Sequence, residues 1–189
     1  MRKYFELLTG VETGADNTLN LNVHLQLQGL KGEHIVDDTV WIVKTHSPWI
    51  MPEAPVFFCN KIICIIRNPI DVIISFLHLF SVANHVQKAP FEYHERHPKY
   101  WDWWVHLCTK RMANWYRTLM RDANIKSLPV LYTRFEDLTQ NPKEELENIM
   151  AFLCNRKDVK GTNAERRVME VLAKGKDATV LYQLKDNTR

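Results

Sequence analysis

Hydrophobic positions along the chain fall into short unbroken runs and stripes at helical spacing. Thr39–Val43 (Thr-Val-Trp-Ile-Val) predicts a buried strand, ended abruptly by Lys44-Thr45-His46-Ser47-Pro48. In Lys61–Ile66, the residues Ile62, Ile63, Ile65 and Ile66 read as covered on both faces, as in a parallel sheet. Val130–Thr133 predicts a third strand. A helix opens directly after Ile66, with Asn68 as N-cap, Pro69 in the first helical position and Asp71 in the first turn. Its apolar set, Ile70, Ile73, Ile74, Leu77 and Phe80, is expected to pack on the sheet. Trp101–Asp122 reads as a long helix with a stripe of Trp104, Cys108, Met112 (or Arg111), Trp115 and Leu119. Asn141-Pro142-Lys143-Glu144 carries the cap, proline and glutamate of another helix start, with Leu146, Ile149, Met150 and Leu153 on its buried side. Met1–Leu8 and Ala164–Lys174 predict two more helices. Thr9–Asn22, with Gly10, Gly14 and Asp16, reads as loop. Val23–Leu30 fits a strand or a helix, and the last dozen residues show no clear pattern. Strands alternating with helices predict an α/β fold in three layers, a mostly parallel open sheet flanked by helices.

Size and composition narrow the picture. With 189 residues, 46% of them hydrophobic, the chain suits a single domain over 1–189. The longest apolar run is cut by Arg67-Asn68-Pro69, well short of the roughly 18 residues of a membrane span. Met1-Arg2-Lys3-Tyr4 is not followed by the apolar stretch of a secretory leader. Four cysteines without CxxC spacing are expected to be buried free thiols in a reducing, cytoplasmic compartment. A net charge of +3 without a basic stripe argues against nucleic acid, and His94-Glu95-Arg96-His97 lacks the i, i+4 spacing of a zinc pair. No metal is expected.

Ligands of open α/β sheets bind beyond the carboxyl ends of the strands. There the first predicted strand delivers Lys44 and His46, the second Arg67, and the third Arg134, Glu136 and Asp137. An arginine fork before a helix N-terminus, with Ser75 eight residues on, would make an anion cradle. Equally, Arg67 could pair with Asp71 and leave Ser75 as a surface hydroxyl. His46 beside Lys44 suits a general base with a cation to stabilise a leaving oxygen; the competing reading makes both solvated loop residues. Glu136 and Asp137 could be an acid pair, but a loop before a helix is an ordinary place for carboxylates. Trp101, Trp103, Trp104 and Trp115 read as core in preference to a ligand platform.

Three ordered motifs carry a resemblance. Val43-Lys44-Thr45-His46-Ser47-Pro48, then Ile65-Ile66-Arg67-Asn68-Pro69-Ile70-Asp71-Val72-Ile73-Ile74-Ser75, then Trp103-Trp104 ahead of Tyr132-Thr133-Arg134-Phe135-Glu136-Asp137-Leu138 with Asn141-Pro142, resemble the cytosolic-type sulfotransferase family. The resemblance spans about Val40–Leu153. It implies a P-loop-like sulfotransferase fold and a sulfuryl donor, 3′-phosphoadenosine 5′-phosphosulfate (PAPS). It also implies that Arg67 and Ser75 bind the donor's 3′-phosphate, with His46 as the base and Lys44 assisting. The acceptor, a hydroxyl or an amine, is not implied; Ser47–Asn60 and Ser81–Tyr100 are the candidate loops for it. The sequence departs from the family at three places. The first strand and its Pro-Lys/Arg-Ser-Gly loop, which wraps the 5′-phosphosulfate, are not in this sequence, nor is the C-terminal Arg-Lys-Gly segment. Phe135 stands where the family has an adenine-contacting tyrosine. The expectation is therefore an incomplete sulfotransferase domain with exposed strand edges. The alternative is a catalytically impaired or non-enzymatic nucleotide-binding remnant. A kinase-like P-loop enzyme is disfavoured because no G-x-x-x-x-G-K-[ST] occurs.

Overall fold

The computed structural model of the chain describes residues 1–17, 23–27, 29–46, 54–82 and 96–174. In chain order the elements are α1 (Arg2–Thr9), β1 (Gly14–Ala15), α2 (Val23–Leu27), β2 (Gly32–Glu33), β3 (Val43–Lys44), β4 (Ile62–Ile66), α3 (Pro69–Val82), α4 (Pro98–Arg121), α5 (Ala123–Lys126), β5 (Val130–Arg134), α6 (Phe135–Gln140), α7 (Pro142–Leu153) and α8 (Asn163–Lys174). Among the described residues all the strand pairs are parallel and helices flank the sheets, so the α/β class read from the alternation of strands and helices holds.

The strands form two sheets rather than one. The first has the order β2-β1-β3 and the second pairs β4 with β5, Ile62 opposite Val130 through Ile66 opposite Arg134. A shared core unites them. Phe5 and Leu8 of α1, Leu138 of α6, Leu146, Ile149 and Met150 of α7, and Val168 and Val171 of α8 are buried together. Ile42, Ile63 and Leu131, from the two sheets, pack against that same cluster. Two cationic side chains tie the layer at helix ends, where carbonyls lack intrahelical partners. Arg167 donates to Leu7 O at 2.8 Å, and Lys61, just before β4, donates to Leu153 O at 2.9 Å.

On the opposite face, Ile73 and Leu77 of α3 are buried against Trp104 and Cys108 of α4. The Trp104 indole N–H donates to Ile73 O at 3.2 Å. This corrects the expected docking of α3: its buried residues pack on α4, Phe80 (63% exposed) lies against Trp104 with ring centroids 5.3 Å apart, and Ile70 (66%) faces outward. An almost uniformly apolar helix has no unique face to announce which neighbour it meets. The α4 stripe behaves as expected, with Trp104, Cys108 and Leu119 buried and Met112 packed alongside, while Arg111 is exposed.

Other differences are local. Thr9–Asn22 is not simply loop: Gly14–Ala15 is the central strand of the first sheet. Glycine is required there, because a Cβ on Gly14 would lie 2.1 Å from Ile35 O, and one on Gly32 2.3 Å from Thr13 O. The 39–43 strand shrinks to Val43–Lys44, with Trp41 exposed. Val23–Leu27 is helical. Asn68 caps α3, its Oδ1 accepting the Ile70 N–H at 3.0 Å. Asn141 makes no side-chain cap to α7. The neighbouring Glu145 carboxylate instead accepts the Thr133 hydroxyl from β5. Only Cys64 and Cys108 are buried; Cys59 and Cys154 are exposed thiols. Among the described residues no helix is long and apolar enough to cross a membrane, and no His/Cys/Asp/Glu group could hold a metal ion. Segments 47–53, 83–95 and 175–189 lie outside the described residues, including most of the two candidate acceptor loops.

Candidate functional site

The β4/β5 register decides what surrounds Arg67. Ile66 pairs with Arg134, so the next residues along the two strands, Arg67 and Phe135, come side by side. The guanidinium lies over the Phe135 ring, 4.6 Å from its centroid. Arg67 Nε is buried and has no hydrogen-bond partner among the described residues. Among the described residues no ion pair joins Arg67 to Asp71, while Ser75 is exposed, as the competing reading had it. A buried donor without a partner costs about 1–3 kcal/mol, a cost removed when an acceptor arrives. The guanidinium thus combines an aromatic neighbour with a buried N–H that no described residue accepts.

Glu136 closes the same corner. Its Oε1 accepts the Asn68 N–H at 2.7 Å, joining the start of α6 to the entry of α3. That N–H first, then Glu136's own N–H and the nearby Arg134 and Arg67, hold the carboxyl below its usual range. Glu136 is thus a structural clasp on the arginine's strand end, not the ordinary loop carboxylate expected. Arg134 is largely exposed and pairs with the two carboxylates beside it, its Nε 3.9 Å from Glu136 Oε2 and its Nη1 3.5 Å from Asp137 Oδ1. Ser75 is exposed on α3, four residues and about one turn beyond the exposed Asp71.

Lys44 and His46 stand at the end of β3, behind which lies a buried ionic network. Arg2 is ion-paired with Glu33. Arg2 also donates to Thr13 Oγ1 at 2.9 Å and to Thr13 O at 2.6 Å. Glu33 accepts from Asn17 Nδ2 at 3.4 Å, and Asp16 Oδ2 accepts the Thr45 hydroxyl at 2.5 Å. Burial lowers the Lys44 ammonium below its ordinary range; Arg2 pushes the same way, and Glu33 and Asp16 oppose. His46 is open to solvent at its edge, yet the protein around the ring lowers it, with Lys44 adding to the effect and Asp16 and Glu33 opposing. At neutral pH the imidazole is therefore uncharged, the form a base requires.

The two strand ends meet at one helix. The Trp115 indole N–H donates to His46 O at 3.4 Å. Its neighbour Tyr116 stacks edge-on against it, ring centroids 4.9 Å apart. The Tyr116 hydroxyl is raised by burial first, then by Cys64 of β4 and Glu136 of α6. Consecutive residues of α4 thus reach β3's end and the β4/α6 corner. No direct contact joins His46 or Lys44 to Arg67 among the described residues. Glu136 was already among the strand-end residues and Phe135 at the family's tyrosine position, but nothing in the sequence marked Phe135 as the neighbour of Arg67, Glu136 as the partner of Asn68, or Asp16 and Trp115 as neighbours of the site. Parallel register could have found Phe135; the others depend on tertiary contacts alone.

Comparison with known proteins follows the same contour. The family model for the sulfotransferase domain matches residues 31–171. Among curated proteins, the chain is similar to Sulfotransferase 1B1 of Canis lupus familiaris, 32% identical over 122 residues, covering 59% of this chain and 36% of that protein. It is also similar to Sulfotransferase 1A1 of Mus musculus, 28% identical over 119 residues, covering 59% of this chain and 37% of that protein. Sulfotransferase 1 family member D1 of Mus musculus is 30% identical over 122 residues, with 59% and 37% covered. The chain thus spans little more than a third of the length of these relatives. No solved structure matches it significantly.

Proposed function

The chain belongs to the sulfotransferase family, and on that premise we propose that it transfers a sulfuryl group from PAPS to an acceptor hydroxyl or amine. The observation that carries the reading is the buried Arg67 Nε, without a partner among the described residues, on a guanidinium 4.6 Å from the Phe135 ring centroid at the head of α3. A phosphate there takes the fork bidentately, and Ser75 adds a hydroxyl farther along the helix. Arg67 and Ser75 thus bind the donor's 3′-phosphate.

His46 receives the acceptor's proton as a new bond forms from the acceptor oxygen or nitrogen to sulfur. In the same displacement the bond from sulfur to the donor's bridging phosphate oxygen breaks, and Lys44 stabilises the charge appearing on that oxygen. The products are the sulfated acceptor, the 3′,5′-bisphosphate and a proton on His46. Two features suit this task. The His46 ring is neutral at pH 7, and Lys44, though pulled down by burial, keeps two carboxylates, Glu33 and Asp16, favouring its charge.

The test is transfer from ³⁵S-labelled PAPS to a panel of phenols, aliphatic alcohols and amines, with His46→Ala and Lys44→Ala as controls. Labelled product that disappears in His46→Ala supports the reading. Binding of the donor without turnover makes the chain a nucleotide-binding module of the family, and absence of both refutes the proposal.

A further inference from the structure

The end of β3 is held from behind by a carboxylate to which the transfer reading gives no task. Asp16 immediately follows β1 and is only 7% exposed. Its N–H donates to Lys44 O at 3.1 Å, carrying the β1–β3 ladder one step past the paired residues. Its Oδ2 accepts the Thr45 hydroxyl at 2.5 Å. One residue therefore grips Lys44 through the backbone and Thr45 through the side chain, leaving His46 as the next residue out. A buried carboxylate is costly unless paired or hydrogen-bonded. The other acid of the cluster, Glu33, is already committed to Arg2 and Asn17. Asp16 has no ion-pair partner of its own among the described residues, so its charge is directed at Lys44 and His46.

We propose that Asp16 is a positioning residue for His46: through Thr45 it fixes the Lys44-Thr45-His46 segment, and its carboxylate sets the charge balance around the imidazole. The consequence for turnover rests on the reading of His46 as the base; the effect on the ring itself does not. The charged and titratable groups acting on His46 are Lys44 from its own segment, Asp16 from the end of β1 and Glu33 from β2, while Arg2 of α1 acts on Lys44. From α4 the ring's backbone receives only the uncharged Trp115 indole.

The experiment is an NMR titration of the His46 imidazole in the full chain, assigned with His46→Gln, for the parent, Asp16→Asn and Thr45→Val. Asparagine keeps the shape and an accepting oxygen but removes the charge that favours the imidazolium. The His46 midpoint is therefore expected to move to lower pH in Asp16→Asn. Circular dichroism reports whether each variant is folded. Thr45→Val removes the tether but leaves the carboxylate and the Asp16–Lys44 backbone bond, so it serves if Asp16→Asn does not fold. It is expected to alter the Trp115 indole hydrogen bond to His46 O, read as changed cross-peaks of the indole N–H. Where transfer is measurable, the acid limb of kcat/KM moves down in pH with the NMR midpoint. The plateau falls about tenfold in kcat with little change in KM, and Asp16→Glu restores part of it. A purely structural role would lower the folded fraction without moving the midpoint. Superimposable His46 titrations in parent and folded Asp16→Asn, or unchanged cross-peaks and turnover in Thr45→Val, overturn the proposal. Absence of transfer in the parent overturns the enzymatic reading while the titration still decides the role of Asp16.

Discussion

Replacing Glu33 by glutamine isolates the buried network behind β3. Glu33 is 3% exposed and pairs with Arg2, itself 9% exposed, while a second cation, Lys44, draws on the same carboxylate. Glutamine keeps the volume and one accepting oxygen, so the packing survives and the charge does not. Two cations then face a single carboxylate, Asp16, inside a site that water reaches poorly. Breaking a buried pair by removing one partner costs about 3–5 kcal/mol. For a chain of this length each kcal/mol moves Tm by about 2–4 °C, so Glu33→Gln is expected to lower Tm by about 6–20 °C. Thermal unfolding followed at 222 nm measures it. The double replacement Arg2→Met/Glu33→Leu supplies the control: with both charges gone, hydrophobic isosteres are near neutral, and more than half the loss should return. If Glu33→Gln unfolds within about 2 °C of the parent, or the double variant is worse than the single, the network is not a coupled ionic cluster and the reasoning fails.

Two further outcomes follow from the site. Phe135→Leu removes the aromatic face beneath Arg67 and should weaken binding of the 3′,5′-bisphosphate about two- to fivefold, from about 0.5–1 kcal/mol of cation–π attraction, as read by calorimetry. His46 has a folded-state affinity for protons below that of the unfolded chain, whose ordinary value is 6.5. Its stabilising contribution is therefore complete above that pH and is lost as pH falls through and below it. Urea midpoints measured from pH 7.5 to 5 should decline less steeply in His46→Gln than in the parent; parallel curves would contradict the sign.

What the amino-acid sequence disclosed depended on how locally each feature is determined. The isoleucine run of β4, closed by Arg67-Asn68-Pro69, states its own strand, turn and helix cap, and all three form. The Trp104/Cys108/Leu119 stripe likewise shows which side of α4 is covered. Gly14–Ala15 could not be read as a strand: two residues carry no periodicity, and the glycine that signals a loop is there because two backbones approach too closely for a Cβ. Lys44, His46 and Arg67 were legible as polar residues at strand ends. The partner of Arg67 was not, since Phe135 arrives through a register linking segments 68 residues apart, the span also closed by Glu136 and Asn68. Asp16 and Trp115 were hidden for the same reason, each meeting the end of β3 from a distant part of the chain.

The most direct measurement is calorimetric titration of adenosine 3′,5′-bisphosphate into the parent chain and into Arg67→Ala, with circular dichroism showing both folded. The account predicts a single-site isotherm for the parent and an affinity about 10- to 150-fold weaker without the guanidinium, from about 1.5–3 kcal/mol for hydrogen bonds to a charged group. A parent chain that takes up no nucleotide, or an Arg67→Ala variant that binds it equally well, would contradict the claim that this strand end is an anion site.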